Sequence, residues 1–214
     1  MGANKFFFSQ VRKGLNLLAD YQFNNNLIDD ANGYNLTGID ITYNNDSAVF
    51  NGVTSEARRS DTNDIFSFTD GVNDLPFRIE TSIKFNAFTN SFQFIVMKRD
   101  SNQTLREWQL FYENSINSFG FSLYTDTLGV NAIVVKNQIT PQLNTTYNVV
   151  ISYDGSKTLD GLNISVNGVE GTNKTEIGNY TGMIKTGSSL TLGIATWTSA
   201  FDFDGEIDYL KIYK

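Results

Sequence analysis

The chain has 214 residues and a formal net charge of −7, and it contains neither histidine nor cysteine. These two absences exclude imidazole bases, His-ligated metals, thiol nucleophiles, zinc–thiolate sites and disulfides. The acidic balance argues against nucleic acid as a partner, because contact with a phosphate backbone requires a basic surface. No stretch of the sequence approaches the roughly 20 apolar residues that insertion into a membrane requires.

Residues 1–16 are predicted to form an arm that docks on a partner. Phe6, Phe7 and Phe8 are consecutive, and Arg12 follows in a basic stretch. This apolar run is shorter than the roughly 7–15 residues of a signal-peptide core, so it does not indicate secretion. Three adjacent phenylalanines cannot all face one interior, and an exposed cluster of this size usually marks a partner surface. A disordered tail or an extra edge strand is the alternative.

From residue 17 onward the sequence is typical of β-strands. Short runs alternate apolar and polar residues, with Asn, Asp and Gly between them. In the clearest run, residues 77–85, the odd-numbered side chains are predicted to face the interior. Further strands are predicted at 92–97, 108–112, 119–124, 130–135, 147–153, 162–166, 190–194 and 205–213. The Asp-Gly and Asn-Gly pairs at 154–155, 160–161 and 167–168 predict tight turns.

This pattern predicts a single all-β domain, an antiparallel β-sandwich or barrel, over residues 17–214. No proline-rich linker or change of composition divides that span. The stretch from Asp61 to Asp74 is predicted to be a long surface loop, with a second fold boundary as the alternative.

Glycan recognition usually needs an aromatic platform and polar hydrogen-bonding partners, because sugars offer apolar ring faces ringed with hydroxyls. Trp197 stands in a polar stretch between two predicted strands and is the first candidate, with a plug at the end of the sandwich as the alternative. Trp108 is the second candidate, but its alternation with Leu110 favours a core position. Tyr124 and Asp126 follow a predicted strand and complete the candidate set.

An acidic run near the end of the chain raises the possibility of glycoside hydrolysis. Alternation along a strand places Glu206 and Asp208 on one face, where they could act as nucleophile and helper. The general acid is missing, because the next residue on that face is Leu210. A structural role is therefore favoured for these acids.

A calcium site is predicted at an oxygen-rich turn. Asp29, Asp30 and Asn32 supply carboxylate and amide oxygens, the ligands that calcium prefers, and Asp204 is the distant acid expected to join them. The alternative is an Asx turn, in which Asp30 caps its own backbone.

Four pairs of segments, in this order, resemble one known family. They are Leu18–Phe23 with Asp29–Gly33, Leu75–Glu80 with Phe92–Lys98, Thr146–Gly155 with Ile164–Gly168, and Leu190–Gly193 with Phe203–Tyr213. The family is the laminin-G-like group of concanavalin A-like jelly rolls. The resemblance implies two curved antiparallel sheets, and it implies that such modules often hold a structural or ligand-bridging calcium. Lectins, adhesion modules, glycanases and phage surface proteins share this fold, so the fold does not choose among them.

The favoured hypothesis is a non-enzymatic recognition or structural module on a bacteriophage virion. The apolar arm would dock on other virion subunits or on a second copy, and the jelly roll would be displayed, where it could meet a cell-surface glycan. The composition rich in Asn and the run 64–71 resemble phage-borne members of the family. The alternative is an extracellular carbohydrate-binding lectin module of a secreted bacterial protein, and a glycoside hydrolase is the third possibility.

Overall fold

The computed structural model describes residues 14–100, 105–194 and 201–214. These residues form sixteen strands and two short 3-10 helices, Asn114–Ile116 and Leu159–Gly161. The strands are β1 (Leu17–Tyr21), β2 (Thr37–Ile39), β3 (Thr42–Asn44), β4 (Ser47–Asn51), β5 (Glu56–Arg59), β6 (Phe77–Phe85), β7 (Phe92–Arg99), β8 (Arg106–Glu113), β9 (Ser118–Tyr124), β10 (Ala132–Gln138), β11 (Thr146–Tyr153), β12 (Leu162–Val166), β13 (Val169–Glu170), β14 (Asn173–Ile177), β15 (Leu190–Leu192) and β16 (Asp204–Tyr213).

The strands form two antiparallel sheets of eight strands each. Sheet A has the order β13-β12-β11-β6-β16-β4-β3, with β1 also paired with β16. Sheet B has the order β14-β10-β9-β8-β7-β15-β5-β2. The two sheets pack face to face, which confirms the predicted all-β antiparallel sandwich of the jelly-roll type. The helices in the described ranges are too short to cross a membrane.

The core lies between the sheets and is rich in aromatic side chains. In β6 the inward residues Phe77, Ile79 and Ile83 are fully buried, as the alternation predicted. Phe68 stacks on Phe77 from sheet A with ring centroids 3.9 Å apart, and on Trp108 from sheet B at 5.4 Å. Such stacked pairs join the two sheets, because each ring removes a large apolar area from water.

Residues 17–59 belong to the same sandwich as the rest of the chain. The first strand, β1, pairs with the last, β16, with Leu17 opposite Tyr213 and Tyr21 opposite Leu210. The strands β3 and β4 extend sheet A, while β2 and β5 extend sheet B.

Two local expectations from the sequence need correction. The stretch between Asp61 and Asp74 is a loop with exposed residues at 62–63 and 70–73, but its middle is not at the surface, because Phe66 and Phe68 are fully buried in the core. Burial of its backbone is tolerated because the segment is hydrogen-bonded; for example, the indole of Trp108 donates to the Phe66 carbonyl oxygen at 3.0 Å. In addition, the Asp-Gly pair at 160–161 lies in a 3-10 helix instead of a tight turn.

Candidate functional site

The outer face of sheet B departs from the alternation expected of a half-buried sheet. In β8, Leu110 and Tyr112 belong to the core between the sheets, so Phe111 points to the opposite face. Phe111 is nevertheless only 4% exposed. It belongs to a second apolar cluster, separate from the core, that consists of Phe94, Met97, Phe111, Tyr124, Ala132 and Val134, with Phe92 and Phe201 packed against it.

A groove of about 320 Å³ opens beside this cluster. We call it the sheet B groove; its lining is Phe92, Gln109, Phe111, Glu113, Ser122, Tyr124, Gly129, Val134, Lys136, Thr175 and Ile177. The strand register explains how it forms, because Gln109, Ser122, Val134 and Thr175 lie opposite one another in a row across β8, β9, β10 and β14. The groove therefore runs across the strands on the solvent side of the sheet.

The aromatic wall of the groove is made by Phe92 and Phe111, and Phe201 packs against the same apolar cluster without lining the groove. The Phe92 ring lies 5.7 Å from that of Phe111 and 5.8 Å from that of Phe201. Gly120 lies opposite Phe111 in β9, and a Cβ atom there would overlap the Phe111 ring. The glycine thus lets the ring lie flat against the sheet and leaves the groove open beside it.

The polar floor of the groove is held in one orientation by hydrogen bonds. The Gln109 side chain accepts from Arg99 Nη1 at 3.1 Å and donates to the Tyr124 hydroxyl at 2.7 Å. Burial raises the pKa of Tyr124, although a hydrogen bond with Ser122 and the charges of Arg99 and Arg106 act in the opposite direction. The phenol therefore stays neutral at physiological pH, so its O–H can donate a hydrogen bond.

The rim of the groove carries an ion pair and exposed side chains. Lys136 Nζ lies 2.6 Å from a carboxylate oxygen of Glu113. Thr175 and Ile177 on the edge strand β14 border the other side, and Ile177 is 45% exposed. An apolar wall, a fixed polar floor and a charged rim are the three features that a site for a small polar ligand combines.

Of the four predicted glycan-binding residues, one lines the groove, two do not, and one lies outside the described residues. Tyr124 lines the sheet B groove, whereas Trp108 is fully buried in the core and does not line it. Asp126 does not line the groove either. It shapes the turn after β9, where its carboxylate accepts hydrogen bonds from the N–H groups of Gly129 at 2.6 Å and Asn131 at 2.8 Å. Trp197 lies outside the described residues, as do Phe6, Phe7, Phe8 and Arg12.

Two of the predicted calcium ligands, Asp29 and Asn32, are engaged in hydrogen bonds to the backbone. Both oxygens of Asp29 accept hydrogen bonds from backbone N–H groups, those of Asp20, Ala31, Asn32 and Tyr34, at 2.7–3.0 Å. The Asn32 amide donates to the carbonyl oxygens of Leu17 and Leu18, and Asp30 is exposed. The turn is therefore an Asx turn, as the alternative interpretation had it, but it is built on Asp29 and not on Asp30.

Asp204, the fourth predicted calcium ligand, lies far from the turn in the structure. Asp29 forms an isolated β-bridge with Tyr21, and Tyr21 lies opposite Leu210 in β16. Asp204 precedes Leu210 by six residues in that strand. Six residues of strand span about 20 Å, so Asp204 cannot share a cation with Asp29. Across the described parts of the chain, no group of three or more acidic side chains is arranged to hold a metal ion.

The two acids considered for hydrolysis have structural partners in sheet A. Glu206 accepts a hydrogen bond from Asn44 at 3.1 Å and forms an ion pair with Lys84 at 2.6 Å. The Asp208 carboxylate accepts from the hydroxyls of Ser47 and Ser82. Each of these four oxygens thus has a partner, and the two acids lie in a different sheet from the groove.

A signal for the groove is present in the sequence. The run Phe92–Arg99 is buried at nearly every position in the structure, and the run Leu110-Phe111-Tyr112 is apolar without interruption. Alternation fails there, which indicates a strand covered on both faces. Both runs were predicted as half-buried strands, so Phe92, Gln109 and Phe111 were missed as groove residues. Val134 and Lys136, on β10, were missed as well.

Comparison with protein families identifies the class of the chain. The Laminin_G_3 model of the concanavalin A-like lectin/glucanases superfamily matches residues 59–214, well over half of the sequence. The chain belongs to this family, as its motifs indicated. No curated protein matches the chain in sequence.

Solved structures share the fold at low sequence identity. The chain is 13% identical to a structure of botulinum neurotoxin type C, a toxin whose cell entry is described as dependent upon interaction with two ganglioside molecules. The match covers 96% of this chain and 49% of that chain, with a TM-score of 0.65. It is 12% identical to the binding domain of botulinum neurotoxin DC in complex with rat synaptotagmin II, with coverages of 95% and 48% and a TM-score of 0.66. It is 11% identical to a Trypanosoma rangeli sialidase, with coverages of 92% and 30% and a TM-score of 0.65. The chain spans about half the length of the neurotoxin domains that it matches.

Proposed function

We propose that the protein is a non-enzymatic carbohydrate-binding module and that the sheet B groove is its glycan site. The observation that carries this proposal is the presence of an aromatic wall, a hydrogen-bonded polar floor and a charged rim on the solvent face of one sheet. The volume of about 320 Å³ falls at the lower end of the range for small-ligand sites. That size favours one or two sugar rings over an extended chain.

The chemistry of the lining matches a sugar ring. The apolar face of a pyranose can pack on Phe92 and Phe111, because aromatic rings bury large apolar area. Sugar hydroxyls both donate and accept, and they would meet the Tyr124 hydroxyl and the Glu113–Lys136 pair. Botulinum neurotoxin type C, whose cell entry is described as dependent upon interaction with two ganglioside molecules, shares this fold and supports a glycan ligand.

The residues in the groove favour binding over hydrolysis. Glycoside hydrolysis usually requires two carboxyl groups flanking the scissile bond. Among the lining residues in the described ranges, Glu113 is the one carboxylate, and it is ion-paired with Lys136.

A glycan array followed by titration calorimetry tests the proposal. The full chain is expected to retain a subset of the glycans, and Thr175→Trp is expected to weaken that binding at least tenfold, about 1.4 kcal/mol. Thr175 is exposed on the edge strand β14 and borders the groove, so the larger side chain fills the site without disturbing the core.

Thr42→Trp is the matched control. Thr42 is also an exposed threonine on a short strand near the edge of a sheet, but it lies in β3 of sheet A. We expect this variant to bind like the wild type. Equal loss of binding in both variants, or no loss in either, would show that the groove is not the site.

We also propose that residues 1–16 attach the module to a larger assembly, with a virion as the first candidate and an extracellular protein as the second. The three consecutive phenylalanines beside Arg12 support this role, because burying each ring would contribute on the order of 1.5–3 kcal/mol. Deleting residues 1–14 is expected to leave the melt cooperative and to abolish self-association or incorporation. A monomeric full-length chain whose truncated form cannot fold would contradict an attachment role.

A further inference from the structure

Three ionisable side chains meet at a buried position that the sheet B groove does not use. Lys98 on β7 places its Nζ atom 2.9 Å from Asp61 Oδ2 and 3.2 Å from Glu107 Oε1. All three side chains have zero exposure to solvent. The third ammonium proton has its own acceptor, the Ser188 carbonyl oxygen at 2.6 Å. The amino group of Lys98 and the carboxyl groups of Asp61 and Glu107 are thus held together out of contact with water.

Each partner in this triad is fixed by the backbone. Asp61 Oδ1 accepts a hydrogen bond from the Ile65 N–H at 2.7 Å, and Oδ2 accepts one from the Phe66 N–H at 2.9 Å. Glu107 Oε1 accepts from the N–H and hydroxyl of Thr186 at 2.7 and 2.8 Å. The other oxygen of Glu107, Oε2, is buried without a hydrogen-bond partner. An unpartnered oxygen on a fully buried acid calls for an explanation, and one is a role in moving protons.

We propose that this triad is a modification site, at which Lys98 and Asp61 condense to an intramolecular amide cross-link with Glu107 as the proton carrier. Two features favour the reaction. Groups held in contact react with effective concentrations of about 10⁵–10⁸ M when their geometry is right. In addition, a buried ion pair has given up its hydration, so conversion to a neutral amide removes two charges from an environment that disfavours them.

The chemical step balances without another reactant. Glu107 takes one proton from the Lys98 ammonium, and the free amine attacks Cγ of Asp61. The Ile65 N–H, already bonded to Oδ1, stabilises the charge that develops on that oxygen. Asp61 Oδ2 receives two protons, the one that Glu107 took from the ammonium and a second one from the attacking Nζ, and it departs as water. One hydrogen stays on the new amide, and the positive and negative charges are both consumed.

The cross-link would join parts of the sandwich that are distant along the chain. Asp61 follows β5, and Lys98 lies near the end of β7, with β15 between those two strands in sheet B. The bond would therefore tie the outer part of sheet B to its centre.

Mass spectrometry of the denatured full-length chain tests the proposal. The wild type is expected to be lighter than its sequence by one water, and trypsin is expected to leave the peptides of Asp61 and Lys98 joined. Lys98→Arg and Glu107→Gln are expected to show the full sequence mass. In Asp61→Asn, the same reaction would release ammonia in place of water, which gives a different mass loss.

The wild-type measurement decides the outcome even if a variant does not fold. A wild-type chain with full sequence mass and normal cleavage after Lys98 would overturn the proposal and leave the triad as a buried ion network. Water loss that persists in Lys98→Arg would also overturn it, because succinimide formation at an Asp-Gly pair such as 204–205 gives the same mass change.

Discussion

Replacing Asp29 by asparagine tests whether one carboxylate organises the turn between β1 and β2. The wild-type carboxylate accepts four backbone hydrogen bonds, two on each oxygen. Asparagine can keep the two on Oδ1, from Asp20 and Ala31, but it turns an NH₂ group toward the N–H groups of Asn32 and Tyr34. Hydrogen bonds to a charged acceptor contribute about 1.5–3 kcal/mol each, and bonds that share one group are not additive. We therefore expect Asp29→Asn to lower the free energy of unfolding by about 2–4 kcal/mol.

Urea denaturation at several pH values measures this loss. Burial acts to raise the pKa of Asp29, but the four backbone hydrogen bonds outweigh it and lower the pKa overall. Because the folded pKa lies below the unfolded value of about 3.9, the carboxylate stabilises the fold above that pH. This stabilisation is lost as the pH falls through the folded pKa. The difference between wild type and Asp29→Asn should therefore be constant near neutral pH and shrink in acid.

Asp30→Asn is the control for this prediction. Asp30 is the exposed neighbour in the same turn, so its replacement should change the free energy of unfolding by less than about 0.5 kcal/mol. Equal losses in the two variants would refute the role assigned to Asp29. So would a difference between wild type and Asp29→Asn that stays constant as the pH falls below about 4, near the pKa of an unfolded aspartate.

Three further predictions concern residues singled out by the sequence. Excess calcium and a chelator should give the same melting temperature, because the Asp29 oxygens are already occupied; a rise with calcium that Asp29→Asn removes would contradict this. Trp108→Ala should destabilise the fold by about 3–5 kcal/mol in chemical denaturation, since it leaves a cavity in the core; a loss below about 1 kcal/mol would be inconsistent with full burial. The chain should not hydrolyse β-glucans, and turnover that Glu206→Gln abolishes would show that Glu206 is more than the partner of Lys84.

The sandwich could be predicted from the sequence because period-two alternation is strong in its central strands. The run Phe77–Phe85 was predicted with the bounds that the structure shows, and its inward residues are buried. The short edge strands β2, β3 and β13 were not predicted. They are two or three residues long and mostly exposed, so no hydrophobic pattern marks them.

The groove was harder to predict because it depends on which strands are neighbours. Gln109, Ser122 and Val134 are far apart in sequence and meet only through the β8–β9–β10 register. The tryptophans were predicted to bind a glycan because of their aromatic side chains. In the structure Trp108 fills the core, while Phe111, three residues later, lines the groove. Likewise, the buried contact between Lys98 and Asp61 requires the order of strands in sheet B, which composition does not reveal.

The most direct test of the glycan site is NMR titration of the isotopically labelled full-length chain with the sugar that the array selects. The groove predicts that amide shifts concentrate on the middle of β8, β9 and β10, around Gln109, Gly120, Ser122 and Val134. Amides of sheet A near Glu206 should stay unchanged at saturation. Shifts confined to sheet A, or to the end of the sandwich away from the groove, would contradict the assignment of the sheet B groove as the binding site.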